Sequence, residues 1–412
     1  MAGKELVFWW VIMMRMRIAF FTDSFYPRMN GVTVYVGAIT RALIAMGHEV
    51  MIVAPEWKDS SHGDVQKFVP GARVVLVPGI TAFFYQELKM GTPTPKALGE
   101  VRKFMPDIIH FHTPALMSLE ATLLARLLKI PLVATFHTYY MEPEGFAAIG
   151  LREGGTVSKI LQESLWKISE RIHAPCDMVI APTQYVGKDL QSRWKKTNIQ
   201  VIPGAVDLKP FGKHGKRRGL RKKYGLDKAL VFLSVGRLSV EKHYDVLITA
   251  FSMILMKYPS ARLVFVGGGP ARKELEYITK VMGIDRAVLF VGEVPYKELA
   301  AENYYSMADV FVTPSTWDTQ GLSVVEAMAS GLPIVAFNFR AMPEVVGKGG
   351  ILVKHLDQYG FAKAMGKLAG SVRLREELGE QAIIQSKKYN ISTHLKNLLS
   401  LYHQLITDST RS

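Results

Sequence analysis

The segment that decides the fold is residues 310–337, VFVTPSTWDTQGLSVVEAMASGLPIVAF. An apolar run ends at Pro314 and Ser315, a polar loop carries Asp318, Gly321 opens a stretch of helical apolar spacing, and a second apolar run follows. That order is one strand–helix–strand unit of a parallel sheet, in which strands covered on both faces are apolar throughout and neighbours need a helical crossover. The spacing also has a chemical use. Asp318 precedes the helix and Glu326 lies just over two turns later, so the two acids can address one extended ligand from its two ends. Between them, the first N–H groups of the helix at Gly321 and Leu322 have no intrahelical partner and suit phosphate or sugar oxygens.

Outward from this unit the same alternation fills the chain. The first half predicts strands in RIAFFTD, EVMIVAP, ARVVLVP, IIHFH, PLVATFH, DMVIAP and IQVIPG, separated by amphipathic stretches such as VYVGAITRALIAMGH. The second half restarts with ALVFLSVGR, ARLVFVGGG, AVLFVGEV, VFVTPS and PIVAFN. Between them KPFGKHGKRRGLRKKYG is rich in Gly and basic residues and reads as a linker entering an exposed helix with a solvated basic face. The class is α/β, with two doubly wound Rossmann-like domains and an expected cleft at the carboxyl ends of their strands. The expected division is an appendage at 1–15, a first domain at 16–205, a second at 206–385 and a C-terminal helix at 386–412 that caps the second domain or crosses back to the first.

Three further stretches carry candidate chemistry. In LSVGRLSVEKHYDVLI a strand ends at Gly236 and Arg237, and Lys242 follows five residues on; a guanidinium and an ammonium there can offset charge gathering on a leaving phosphate, although an ion pair with Glu241 is the plainer reading. In FFTDSFYPRMNGVTVYVGAI the first strand breaks into a loop with Tyr26, Pro27, Asn30 and Gly31, where a glycine lets a ligand approach the backbone closely. In VATFHTYYMEP, His137 and Tyr139 stand at the end of an expected central strand, where α/β folds place functional groups. His110 and His112 alternate and so share one face of a strand, with no third ligand evident for a metal. In LVFVGGGPARKEL, Gly268 lies in a turn against which a nucleotide can rest, yet Arg272 stands where the last glycine of a dinucleotide fingerprint would fall.

Taken together these strings resemble the retaining GT-B glycosyltransferases, the glycosyltransferase group 1 and family 4-like group, over essentially the whole chain after Met16. The resemblance implies a GT-B fold and a nucleotide-sugar donor. It assigns Asp318 to the sugar hydroxyls, Glu326 to the ribose, and Arg237 and Lys242 to the diphosphate as electrophilic catalysts. It also places His137 near the reacting sugar carbon as a hydrogen-bonding group, the backbone around Val294 at the base, and the Tyr26–Gly31 loop beside diphosphate and acceptor. Members usually carry Glu where this chain has Asp318, one methylene shorter, which bears on the donor sugar. The strings TDSFYPRMNGVT, HFHTPALMSLEATLLAR, TFHTYYMEPEG and DTQGL look most like the subgroup that glycosylates diacylglycerol or related membrane lipids.

Composition bounds the remainder. The formal charge of +15 implies an anionic partner, and nucleotide phosphates, an anionic membrane surface and nucleic acid all qualify. The basic run around residues 216–223 lacks interleaved aromatics or a nucleic-acid motif, so nucleic acid is not expected as a partner. The single Cys176 forms no internal disulfide, which fits a reducing, cytoplasmic setting, with peripheral attachment to the inner face of the cell membrane as the extension of the lipid reading. No apolar run approaches the roughly 18–20 residues of a spanning helix; residues 6–14, LVFWWVIMM, come nearest. No cofactor or metal is expected. A soluble sugar or sugar-phosphate acceptor, a nucleotide-sugar epimerase and a noncatalytic binding protein stand as alternatives.

Overall fold

The computed structural model describes residues 15–82, 85–142, 156–212 and 217–410; the apolar N-terminal appendage lies almost wholly outside them. Two compact units result, one made of the described residues of 15–205 together with 391–410, the other of those of 206–390.

Unit 1 is built on strands β1 (Arg17–Phe21), β2 (Glu49–Pro55), β3 (Arg73–Val77), β6 (Ile108–Phe111), β7 (Leu132–Thr135), β8 (Met178–Ala181) and β9 (Ile199–Val201), all parallel, in the order β3-β2-β1-β6-β7-β8-β9. A short antiparallel hairpin, β4 (Gly79–Ala82) with β5 (Tyr85–Gly91), was not anticipated and forms its own small sheet. The central strands are buried at every position but Arg17 because helices cover both faces. One face meets the helices Pro95–Phe104, Leu116–Leu128, Thr156–His173 and Gln184–Arg193 through residues such as Val101, Leu124, Trp166 and Leu190. The other face meets the helix Gly31–Ala45 and the C-terminal helix Ile391–Ser409, which brings Leu395, Leu398, Leu399, Leu401 and Tyr402 into the core. Burying five such side chains is worth on the order of 10 kcal/mol before ordering entropy.

Unit 2 holds β10 (Leu230–Val235), β11 (Ala261–Val266), β12 (Val288–Gly292), β13 (Val310–Thr313), β14 (Ile334–Phe337) and β15 (Gly350–Val353) in the order β12-β11-β10-β13-β14-β15, again all parallel. The edge strand β15 escaped the sequence reading because it is four residues long, begins with glycine and is largely half-buried. The basic helix Arg217–Lys223 corrects another expectation. Arg221 is buried, donating to the carbonyl of Met307 at 2.9 Å and pairing with Asp309 at 3.3 Å, while Leu220 enters the core; only the remainder of that face is solvated.

In each sheet the strand order reverses once, between β1 and β6 in unit 1 and between β10 and β13 in unit 2. Crossovers diverge to opposite faces at such a point, leaving a crevice beyond the strand ends.

Candidate functional site

In unit 2 the reversal brings together two loops that the sequence had singled out separately. The loop after β10 carries Arg237 and Lys242, and the loop after β13 carries Asp318. Lys242 Nζ lies 2.8 and 2.9 Å from the two carboxylate oxygens of Asp318 and 3.2 Å from Ser315 Oγ. Burial opposes both charges, but an opposite charge within 3 Å outweighs it: the Lys242 ammonium is held above its usual range and the Asp318 carboxyl below. His243 Nε2 sits 3.1 Å from Thr316 Oγ1, lacing the two loops together, and Arg340, from the loop after β14, donates to the Thr316 carbonyl at 3.1 Å. Arg237 is half-buried at the end of β10.

The turns beneath these loops depend on glycine. Gly236, Gly267 and Gly269 have φ of 150°, 140° and 149°, and a Cβ on Gly267 would stand 2.0 Å from the Gly236 carbonyl oxygen. Their contact lets the tips of β10 and β11 join: Gly236 N–H donates to Val266 and Leu238 N–H to Gly268, at 3.0 and 2.7 Å. A Cβ on Gly268 would meet the Glu293 carboxylate at 2.4 Å. Val294 follows β12 and packs, half-buried, on the core of this unit.

Gly321 takes a left-handed φ of 74° and starts the helix Leu322–Ala329, whose first turn has no side-chain cap. Glu326 lies on that helix, only 3% exposed, accepting from Tyr296 Oη at 2.9 Å and Tyr305 Oη at 2.5 Å. Burial pushes its carboxyl up to about 7, with the two phenols pulling the other way. The tyrosines were missed, since nothing in local spacing ties residues 296 and 305 to an acid further along the chain. Each carboxylate oxygen can accept more than one hydrogen bond, so the phenols orient Glu326 without exhausting it.

In unit 1 the loops after β1 and β6 are joined by Asp23, whose carboxylate accepts from Gly91 N–H at 2.8 Å, Thr113 Oγ1 at 2.9 Å and Met117 N–H at 3.3 Å. Burial nevertheless pushes Asp23 up to about 7. Asn30 caps the helix Gly31–Ala45, accepting from Thr33 N–H at 3.0 Å and donating to Ser24 Oγ at 2.6 Å. Gly31 is its exposed first residue and is not among the residues of positive φ, so the missing side chain, rather than backbone freedom, distinguishes it. Tyr26 stacks on Phe68 with ring centroids 5.3 Å apart.

His137 follows β7 half-buried, with Nε2 3.3 Å from His112 Nδ1 and its ring 4.9 Å from that of Tyr35. Burial, then His394, drives its pKa down to about 3, so the imidazole is neutral. His110 and His112 do share a face, with ring centroids 4.2 Å apart. Tyr139 is a correction. It is 1% exposed, edge-on to Phe136 at 5.3 Å and Trp166 at 6.1 Å, so its ring serves the core and presents no surface to an acceptor. Only two positions from His137, it is turned inward because the chain leaves its strand there and strict alternation ends. Among the described residues no group of three or more His, Cys, Asp or Glu side chains is arranged to hold a metal ion.

Comparison with known proteins bears on the whole chain. The family described as Glycosyltransferase Family 4 matches residues 29–210, and that described as Glycosyl transferases group 1 matches residues 216–385. An alpha-monoglucosyldiacylglycerol synthase of Streptococcus pneumoniae is 31% identical over 78% of this chain and 71% of its own. A GDP-mannose-dependent alpha-mannosyltransferase of Mycolicibacterium smegmatis is 32% identical over 78% and 79%. Among solved structures, Anabaena Alr3699/HepE in complex with UDP and glucose superposes with a TM-score of 0.74 at 18% identity, over 94% of this chain and 99% of that one, a likeness of fold.

Proposed function

The chain belongs to the group 1 and family 4 glycosyltransferases, and from that premise we propose that it moves a hexose from a UDP- or GDP-linked sugar to a membrane-lipid hydroxyl, such as that of diacylglycerol, with retention of configuration. The observation that carries the donor assignment is the Lys242–Asp318 pair beside the uncapped start of the helix Leu322–Ala329, at the strand-order reversal of unit 2. A diphosphate entering there takes up Lys242, Arg237 and the N–H groups at Gly321 and Leu322. Asp318 is thereby released to accept from sugar hydroxyls. Glu326, oriented by its two tyrosines, accepts from the ribose. Gly268 leaves room for the nucleotide, and the backbone at Val294 reads the base.

The acceptor oxygen attacks the anomeric carbon from the side of the leaving group. The carbon–phosphate oxygen bond breaks with its electron pair going to the diphosphate, and a phosphate oxygen takes the acceptor proton. Lys242, Arg237 and the helix start stabilise the charge that accumulates, and this scheme calls on no divalent metal. His137 donates a hydrogen bond to sugar or acceptor, with Tyr26 and Asn30 on the acceptor side and Gly31 against the donor.

Support for a lipid acceptor comes from the surface of unit 1. Leu119, Leu123 and Leu127 recur every fourth residue along the helix Leu116–Leu128 and are 54%, 55% and 52% exposed, with Arg126 and Lys129 beside them. On the same face of the sheet, the helix Thr156–His173 exposes Ile160 and Ile168 among Lys159, Lys167 and Arg171. Apolar rows bordered by cations suit an anionic bilayer surface. Among the described residues no helix is long and apolar enough to cross a membrane. The test is transfer from a panel of nucleotide sugars to diacylglycerol in anionic vesicles, with NMR of the product anomer and vesicle co-sedimentation at low and high salt. An inverted product overturns retention; turnover only with soluble sugars, and no sedimentation at low salt, overturns the lipid acceptor.

A further inference from the structure

Beneath His137 lies a buried hydrogen-bonded chain of neutral imidazoles and hydroxyls. At one end His394 Nδ1 is 2.6 Å from the Pro203 carbonyl oxygen. A carbonyl only accepts, so Nδ1 bears the proton and Nε2 is the lone pair that accepts from Tyr35 Oη at 2.8 Å. At the other end His110 stands 2.5 Å from Tyr402 Oη and 2.7 Å from Thr135 Oγ1. His394 and Tyr402 both belong to the C-terminal helix. Tyr35 and His112 are packed edge-on against each other, at 5.7 Å, and both reach His137.

The proton on the His112–His137 contact has two possible owners. If His137 Nε2 donated, His112 would accept at Nδ1 and carry its own proton on Nε2. That atom is buried with no hydrogen-bond partner, in a residue 1% exposed. An orphaned N–H in such a place is among the rarest arrangements in proteins, whereas a bare imidazole lone pair is tolerated more readily. We infer that His112 is a positioning residue that donates from Nδ1 to His137 Nε2, fixing His137 as the tautomer protonated on Nδ1. The His137 Nε2 is then engaged and not available as a base, and any hydrogen bond that this ring makes with substrate is one that it donates from Nδ1. This rests on the placing of His137 at the reaction centre proposed above.

Ring 15N NMR of the full chain, labelled at histidine, reads the tautomer directly and needs no activity. The expected result is a protonated Nδ1 and an unprotonated Nε2 at His137, assigned with His137→Gln; the opposite pattern overturns the inference. In His112→Phe no donor remains, and kcat falls about tenfold with donor KM little changed, with mixed tautomers at His137. His112→Asn places an amide N–H where Nδ1 stood and restores both the tautomer and most of kcat. His112→Gln, whose amide reaches toward the Nε2 position, does not. Equal losses in all three variants, each with a wild-type thermal transition, would show His112 to be a packing residue only. Should His137→Ala keep full transfer, the reaction-centre role of His137 falls, while the tautomer remains as the NMR finds it.

Discussion

Lys242 and Asp318 neutralise each other across two loops that lie far apart in sequence, with both carboxylate oxygens within 2.9 Å of the ammonium. A diphosphate must compete with Asp318 for Lys242, so the pair holds the cation in place for the ligand and conceals its charge until the ligand arrives. Asp318→Asn removes the competitor. Nucleotide diphosphate should bind more tightly or equally, measured by calorimetry, while sugar transfer drops by at least about a hundredfold. The same change costs roughly 2 kcal/mol of stability at neutral pH, since a largely buried ammonium loses its partner. With the Asp318 pKa lowered and that of Lys242 raised, the pair contributes above the carboxyl range and below the ammonium range, and chemical denaturation at pH 7 falls inside that window.

Glu326 predicts a pH dependence for the donor. Its carboxyl, raised to about 7, must be ionised to accept fully from a ribose. Donor affinity should fall below pH 7 by up to about tenfold per unit, and Glu326→Gln should bind more weakly but without that slope. The stability effect has the opposite sense. A carboxyl raised in the fold favours folding most below its unfolded value of 4.5, and that contribution is lost as pH rises toward 7.

Gly267→Ala should disable unit 2 alone. Its φ of 140° is closed to alanine and the added carbon would overlap the Gly236 carbonyl oxygen. A loss of roughly 3 kcal/mol or more is expected, with nucleotide binding lost and hydrogen exchange accelerated first along β10 and β11.

Acid should attack the units unequally. Among the described residues, the histidines whose pKa falls on folding, His48, His110, His112, His137, His173 and His394, all belong to unit 1. A depressed histidine stabilises fully above its unfolded value of 6.5, and the contribution disappears as pH falls toward 3 or 4, where His137, His173 and His394 titrate in the fold. Asp23 and Glu120, each raised to about 7, oppose this but are fewer. Hydrogen exchange compared at pH 7 and 4.5, corrected for intrinsic rates, should show protection failing in β1, β6 and β7 while β10 and β13 keep theirs.

Removal of divalent ions supplies a further check. Arg237, Lys242 and the helix start provide the positive charge in the proposed transfer, so dialysis against EDTA should leave the initial rate within about twofold, and a hundredfold drop restored by magnesium would overturn that scheme.

The sheets were legible because buried parallel strands announce themselves: RIAFF, LVAT and IVAF are apolar but for Arg17 and Thr135 at their ends. The hairpin Gly79–Ala82 with Tyr85–Gly91 and the edge strand Gly350–Val353 were not, since exposure and glycine erase that mark. Arg237, Lys242, Asp318 and Glu326 stood out because strand ends and helix starts fix where a side chain emerges. What sequence withheld was partnership. That Lys242 faces Asp318, that Tyr305 holds Glu326, and that His394 reaches Tyr35 are relations between distant segments, set by strand order. Tyr139 misled for a related reason: its motif located the backbone but not the direction of the ring.

The return of the helix Ile391–Ser409 has a consequence for biogenesis. Leu395, Leu398, Leu399, Leu401 and Tyr402 complete a core whose other buried members are all made before residue 206. On a ribosome the first unit therefore waits, one layer short, while residues 206–390 are synthesised, a delay of roughly 10–40 s at ordinary elongation rates. During that interval the apolar side of β1 and β6 lies open, and the nascent chain at that stage is the form a chaperone would meet. Shortening the chain at Asn390 makes the condition permanent.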